Sequence, residues 1–373
     1  MERKQKAQIV KDLQKKIVFI VGPRQVGKTW LARDIAGDKP NTVYLNYDRL
    51  EDRKIIKKEA WLSTTELLIL DELHKMPGWK NFLKGVFDTR PASLKILVTG
   101  SARLDFLRQS GDSLAGRFFV HRLLPFSPAE LSGTKLADDI DRFLSRGGFP
   151  EPFLADEDAD ADRWRMQYID GLVRTDVLDF ERVNDLRALQ LILELLREKV
   201  GSPVSYRSLS QDAQVAPNTV RKYIQILEAL YIVFRVTPYS RNIARSLLKN
   251  PKIYFFDTGM VRGDAGAVFE NMTAVCLLKH VLGQVDKKGK DYRLHYLRTR
   301  EGKEVDFCVA REGKAELLVE SKFSDTAIDR SLYVFCEKLD LPGVQVVKDL
   351  KRERVSGPVR LRKAQAFFKE LFL

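Results

Sequence analysis

Over the first third of the chain, short unbroken apolar runs alternate with stretches whose apolar residues recur at helical spacing. Residues 17–21 (IVFIV), 42–46, 66–73 (ELLILDEL), 94–99 and 118–123 read as strands, and the continuous runs are those of strands buried on both faces. Residues 30–36, 49–61 and 104–110 read as helices between them. This alternation predicts an α/β fold around a parallel sheet. Residues 1–16 form a basic, helix-competent arm ahead of the first strand.

The pattern then changes. GGFP at 147–150 breaks the chain, and the acidic run 155–162 (ADEDADAD) reads as a solvated turn between helix-like segments 137–145 and 162–177. Leu186, Leu189, Ile192, Leu193 and Leu196 repeat at helical spacing, and residues 206–213 make a second, short helix. Pro217 opens a third, with Val220, Ile224 and Leu227 inward and Asn218, Thr219, Arg221, Lys222 and Gln225 outward. Two β-like runs, 231–236 and 252–256, flank Arg241, Arg245 and Lys249, so three helices and a basic-tipped hairpin predict a winged helix. Beyond it come a helix from Glu270 to about 282, then strands at 292–298, 304–309 and 317–322. The expected division is a P-loop core at 1–135, a helical lid and linker at 136–185, the winged helix at 186–260 and a last α/β domain at 261–373.

A length of 373 residues suits two to three domains, and 44% hydrophobic with 31% charged residues describes a globular chain. No apolar run approaches the roughly 18 residues of a membrane span, and MERKQKAQ lacks a signal-peptide core, so no membrane partner and a cytoplasmic home are expected. Cys276, Cys308 and Cys336 lie far apart, which suggests neither a zinc site nor a disulfide framework. The net charge of +13 points to a polyanionic partner, nucleic acid first.

The chemistry starts directly after the first strand. Gly22, Pro23, Arg24, Gln25, Val26, Gly27, Lys28 and Thr29 fit the phosphate-binding loop G-x-x-x-x-G-K-[ST] at every required position. Its glycines let backbone N–H groups turn inward at a helix N-terminus, Lys28 reaches the β- and γ-phosphates, and Thr29 ligates Mg²⁺. ATP with Mg²⁺ is the expected ligand. The run 66–73 ends in Asp71 and Glu72, a Walker B pattern at the strand edge where ligands bind in such sheets. Asp71 would hold Mg²⁺ through water, and Glu72 would polarise the attacking water. Ser101, one strand over, is placed for a sensor role, with a plain turn serine as the alternative. Arg117 precedes the strand 118–123, where oligomeric AAA-type ATPases carry an arginine that enters the neighbour's site. A salt-bridged surface arginine is the competing reading. Arg174 and Asp176 would be contacts from the lid, or a local ion pair.

The last domain carries a second set. Asp306, followed by Glu320-x-Lys322 on a strand, is the D…E-x-K arrangement of restriction-type nucleases, a hairpin turn at 312–314 lying between them. Strand alternation puts Glu320 and Lys322 on one face. Asp306 and Glu320 would bind Mg²⁺ or Mn²⁺ with a water, Lys322 would orient that water, and Glu270 adds a carboxylate from the helix. Neighbouring acids repel unless a cation sits between them, and a metal is the expected cation. Such cores also survive as binding domains without cleavage.

GPRQVGKT, LILDELH, TGSA, LAGR with LLPFSPAEL, GGFPE, the winged helix, FEN, KEVDF and ESKFSD occur together in this order. The chain thereby resembles, over nearly its whole length, prokaryotic AAA+-type ATPases with a C-terminal restriction-endonuclease-like domain of uncharacterised function. The resemblance implies Lys28, Thr29, Asp71, Glu72 and Arg117 as ATPase residues and Glu270, Asp306, Glu320 and Lys322 as a PD-(D/E)XK nuclease-like set. The expected protein is an ATP-driven enzyme acting on DNA, branched or single-strand-containing, in recombination or repair. A homo-oligomeric ring, a hexamer foremost, would place Arg117 in trans. The alternative is a nucleotide-regulated DNA- or protein-binding switch with a silent nuclease fold.

Overall fold

The computed structural model describes residues 3–37, 40–100, 114–172, 185–240, 250–299, 301–324 and 327–373. The chain falls into two compact units, Met1–Leu124 and Pro125–Leu373.

The first unit is a three-layer α/β domain. Its strands are β1 (Ile17–Val21), β2 (Thr42–Asn46), β3 (Leu67–Asp71), β4 (Lys95–Thr99) and β5 (Phe118–Arg122), all parallel, in the order β2-β3-β4-β1-β5. The helices α1 (Lys6–Leu13), α2 (Lys28–Ala36), α3 (Leu50–Lys58) and α4 (Trp79–Thr89) accompany it. Every residue of β1 and β3 is buried, as the apolar runs predict. Alternate side chains of β1 enter different cores. Ile17, Phe19 and Val21 pack with Leu83 and Val86 of α4, while Val18 and Ile20 pack with Leu31 and Ile35 of α2. Full burial of each such side chain is worth about 1.5–3 kcal/mol. The two-sided core fixes the sheet and leaves the carboxyl ends of β1, β3 and β4 to carry polar groups. The helix expected at 104–110 lies outside the described residues.

The second unit is built on an eight-stranded mixed sheet in the order β12-β13-β11-β10-β9-β8-β6-β7. These are β6 (Val233–Pro238), β7 (Lys252–Phe255), β8 (Tyr292–Arg298), β9 (Glu304–Arg311), β10 (Lys314–Ser324), β11 (Gly343–Asp349), β12 (Arg354–Ser356) and β13 (Val359–Lys363). Glu312 and Gly313 both take positive φ and close the tight β9–β10 hairpin. Before the sheet come α5 (Ile140–Arg146), α6 (Pro150–Leu154), α7 (Asp158–Gly171), α8 (Leu186–Glu198), α9 (Tyr206–Asp212) and α10 (Pro217–Ala229). The 24-residue α11 (Ala265–Lys288), α12 (Arg330–Leu339) and α13 (Ala364–Glu370) follow.

Two expectations change here. The boundary expected near residue 260 is crossed by one sheet: β6 pairs antiparallel with β7 and parallel with β8, so the hairpin after α10 and the last α/β segment share hydrogen bonds. The segment expected as a separate lid also packs into this unit. Buried Arg165 donates through Nε to Asp257 Oδ2 at 2.6 Å, and Trp164 stacks on Tyr168 with Phe149 tilted against both. The acidic run is a turn only over 155–157 and helical from Asp158. α7 begins at Asp158, with Asp158 and Asp160 in its first turn, where the helix dipole favours negative charge, and Asp158 pairs with Arg146 at 2.6 Å. Arg174 and Asp176 lie outside the described residues.

Candidate active site

In the first unit, the loop between β1 and α2 folds as its sequence requires. Gly22 takes φ +149, and a Cβ there would lie 2.1 Å from Leu123 O, so only glycine fits. Gln25 and Gly27 also have positive φ, at 58° and 95°, and the backbone curls into a loop ahead of α2. Lys28 is buried and donates through Nζ to Gly22 O at 3.0 Å and Pro23 O at 2.6 Å. Desolvation pushes its ammonium down to about 8, with the negative charges of Glu72 and Asp71 opposing. Val26 packs in the core, while Arg24 is half-buried and Gln25 exposed on the loop's outer side.

Strand register gathers the acceptors. Asp71 lies between Asn46 of β2 and Thr99 of β4. Its Oδ2 accepts from Thr29 Oγ1 at 3.0 Å and from the Tyr44 hydroxyl at 2.6 Å, and its Oδ1 accepts from the Thr99 hydroxyl. The Tyr44 hydroxyl is pushed up to about 12, by burial first and then by its bond to Asp71. Glu72 follows in left-handed backbone (φ 55°), with Lys75 Nζ and His74 Nε2 each 3.6 Å from its Oε2. Burial raises its carboxyl above the usual range. A hydroxyl and a carboxylate held 3.0 Å apart are the hard oxygen donors Mg²⁺ takes, the rest of its shell being water and phosphate. The donor set therefore fits Mg²⁺ with a nucleoside triphosphate.

Three groups here went unread in the sequence. Tyr44 and Thr99 were detectable in principle as hydroxyl side chains toward the carboxyl ends of neighbouring parallel strands. Arg3 had no local signal; its buried guanidinium donates to Val26 O in the loop and to Leu124 O. Ser101 lies outside the described residues. Arg117 is half-exposed and holds Asp88 of its own chain, Nε to Oδ1 at 2.8 Å and Nη2 to Oδ2 at 3.1 Å.

The second unit brings Glu270, Asp306, Glu320 and Lys322 into one region. Lys322 Nζ lies 2.7 Å from Glu320 Oε1 and 3.2 Å from Asp329 Oδ2, as the shared strand face predicts. Glu320 Oε2 accepts from the Asp306 backbone N–H at 3.1 Å, and Asp306 Oδ2 accepts from the Ser321 N–H and hydroxyl at 3.0 and 2.8 Å. Burial, and next Asp306, raises the Glu320 carboxyl; burial, and next Asp306, raises that of Glu270. The expected cation between the acids is present but is not a metal. Fully buried Lys252 places its Nζ 2.7 Å from Glu304 Oε1, 3.1 Å from Glu270 Oε1 and 3.4 Å from Asp306 Oδ1. Among the described residues no three His, Cys, Asp or Glu side chains are grouped to hold a metal ion. The set Glu270, Asp306 and Glu320 therefore does not fit a metal centre in this arrangement, because the Lys252 ammonium stands between Glu270 and Asp306 while Lys322 holds Glu320.

Fold and site together define the first unit as an AAA-type P-loop ATPase domain. Residues 14–132 match a family model described as an AAA domain. Residues 137–267 and 265–361 match two domains of unknown function, DUF8612 and DUF4143. The chain is similar to an uncharacterized protein of Mycobacterium tuberculosis, 27% identical over 342 residues that cover 89% of this chain and 76% of that one. It is also similar to one of Methanocaldococcus jannaschii, 22% identical over 383 residues, covering 93% and 82%. Among solved structures it is similar to the Walker-type ATPase of Pyrococcus abyssi, with 14% identity and a TM-score of 0.46 over 69% of this chain and 94% of that one. Thermotoga maritima RuvB is a further likeness, with 18% identity and a TM-score of 0.33 over 62% and 88%. No described helix is long and apolar enough to cross a membrane.

Proposed function

We propose that the chain hydrolyses ATP with Mg²⁺ at its P-loop and couples that cycle to DNA as a homo-oligomeric ring, most simply a hexamer. The observation that carries the ATPase reading is the Thr29–Asp71 link beside buried Lys28, with Glu72 next in line. Lys28 would hold the β- and γ-phosphates, and Thr29 and Asp71 would hold Mg²⁺, which neutralises developing phosphoryl charge. Glu72 would orient and polarise the attacking water, helped by a carboxyl that burial makes a stronger base. Arg117 would leave Asp88 and enter a neighbouring subunit's site. That exchange asks little of an ion pair at a solvent-exposed edge.

Net charge and one exposed helix face support DNA as the partner. On α10, Val220, Ile224 and Leu227 are buried, while Asn218, Arg221, Lys222 and Gln225 are exposed. Three helices followed by the β6–β7 hairpin support a winged helix that lays this face against DNA, branched or single-strand-containing. Arg241, Arg245 and Lys249, the expected basic wing tip, lie outside the described residues. Asp306, Glu320 and Lys322 support a PD-(D/E)XK-like core in the same unit. The position of Lys252 favours the second reading for that core: a nucleotide-regulated DNA-binding platform whose nuclease fold is silent, with no Mg²⁺ or Mn²⁺ chemistry. ATP turnover of wild type, Lys28→Ala and Glu72→Gln, with and without branched DNA across a salt series, tests the whole. Hydrolysis lost in both variants, binding retained in Glu72→Gln and salt-sensitive stimulation by DNA are expected. A Glu72→Gln chain that turns over at the normal rate refutes the Walker B role of Glu72, a wild type without turnover refutes the ATPase assignment, and turnover indifferent to DNA refutes the coupling.

A further inference from the structure

β7 reads KIYF, and all four residues are buried. A lysine opening such a strand is a demanding choice, since an ammonium out of water is costly unless fully paired. Lys252 has a partner for each of its three N–H donors: Glu304, Glu270 and Asp306, at 2.7, 3.1 and 3.4 Å. Tyr254, two residues along the same strand, donates its hydroxyl to the same Glu270 Oε1 at 2.6 Å. These spacings belong to an ammonium. Mg²⁺ requires oxygens at about 2.0–2.1 Å and Ca²⁺ at about 2.3–2.6 Å. The three oxygens stand 2.7–3.4 Å from Nζ, which occupies the place between them.

We infer that Lys252 is the resident cation of this cluster, and that Glu270, Glu304 and Asp306 form a divalent-metal site only in a chain that lacks its ammonium. The inference rests on reading this unit as a retained nuclease-like core, and it adds the reason the core is silent. The physical basis is charge balance. Three neighbouring carboxylates without a cation must take up protons or bind an ion. While Lys252 stands among them, its ammonium repels a divalent ion and takes the room that ion would need. Lys322 does not perform this role, being engaged with Glu320 and Asp329 instead.

The test is a Mn²⁺ titration of the nucleotide-free full-length chain, followed by the loss of the free-ion electron paramagnetic resonance signal. Binding at the cluster is the part that Asp306→Asn removes. Wild type should show no such part at millimolar Mn²⁺. Lys252→Met should gain one Asp306-dependent site per chain, at least about tenfold tighter than anything wild type offers there. Lys252→Arg, which keeps the charge, should gain none. Thermal melting with circular dichroism reports whether Lys252→Met folds. If it does not, Lys252→Met/Glu270→Gln, with one carboxylate fewer to balance, takes its place under the same expectation. An Asp306-dependent Mn²⁺ site in wild type overturns the inference, as does a folded Lys252→Met or Lys252→Met/Glu270→Gln chain that gains none. DNA binding by the same wild-type sample, measured without metal, tests the platform reading separately. Its loss would sink that reading and leave the assignment of Lys252 standing on the titration.

Discussion

Lys28 makes triphosphate binding depend on pH in a way that can be worked out from its burial. In the free protein, desolvation brings its ammonium from 10.5 down to about 8. A bound triphosphate sets several negative charges beside Nζ and favours the protonated form, so above pH 8 binding must take up a proton. The sign follows: affinity is flat below pH 8 and falls above it, by at most about tenfold per pH unit. If phosphate restores the ordinary value of 10.5, the loss saturates at roughly 300-fold, about 3 kcal/mol at ~1.36 kcal/mol per unit. The folded, nucleotide-free protein behaves oppositely. Its Lys28 value lies below that of the unfolded chain, so the unfolded chain binds more protons between about 8 and 10.5, and this group's burden on stability eases as pH rises through that window. Calorimetry in two buffers of different ionisation enthalpy measures the uptake directly: near zero protons at pH 7 and approaching one at pH 9. ATP has lost its last phosphate proton by then and contributes none. Absence of uptake at pH 9, or the same slope in Lys28→Arg, whose guanidinium stays charged, refutes the reasoning.

Gly22→Ala should abolish nucleotide binding or unfold the first unit, because its Cβ would lie 2.1 Å from Leu123 O at φ +149; a variant with wild-type affinity and melting contradicts this. Lys279, buried in α11, donates to Pro125 O at 2.7 Å and pairs with buried Glu130. Lys279→Met should therefore cost about 3–5 kcal/mol in denaturant unfolding by stranding a buried carboxylate, and Lys279→Met/Glu130→Leu should recover much of that loss. Arg117→Ala subunits mixed with Lys28→Ala subunits should regain part of the ATPase activity through mixed interfaces. Wild-type protein that stays monomeric with ATP and DNA, yet turns over at full rate, would exclude a finger acting in trans.

What the sequence determined by itself is what short-range geometry controls. A five-residue apolar run bounded by a glycine-rich turn or by paired acids reads as a strand buried on both faces, so β1 and β3 were legible, and their polar ends followed at once: Lys28 and Thr29 after one, Asp71 and Glu72 closing the other. The i, i+2 alternation placed Glu320 beside Lys322 in the same local way, and the two-residue turn at Glu312 and Gly313 tied β9 to β10. The helix beginning at Asp158 was also local; its acids are solvated as expected, but they lie in a helix, two of them in the first turn, rather than in a chain turn. Tertiary structure decided which distant groups share one charge environment. Tyr44 and Thr99 reach Asp71 because β2, β3 and β4 lie side by side, and strand order is not written in any one strand. Arg3 meets the loop only once α1 and β5 are in place. Lys252 is 54 residues from Asp306 in sequence, on a strand that pattern alone assigned to a hairpin beside another domain. The sheet carries that hairpin into the carboxylate cluster, where its ammonium supplies the positive charge for which the acids alone had suggested a metal. Electrostatic neighbours act through space, and so the identity of that cation was a property of the fold.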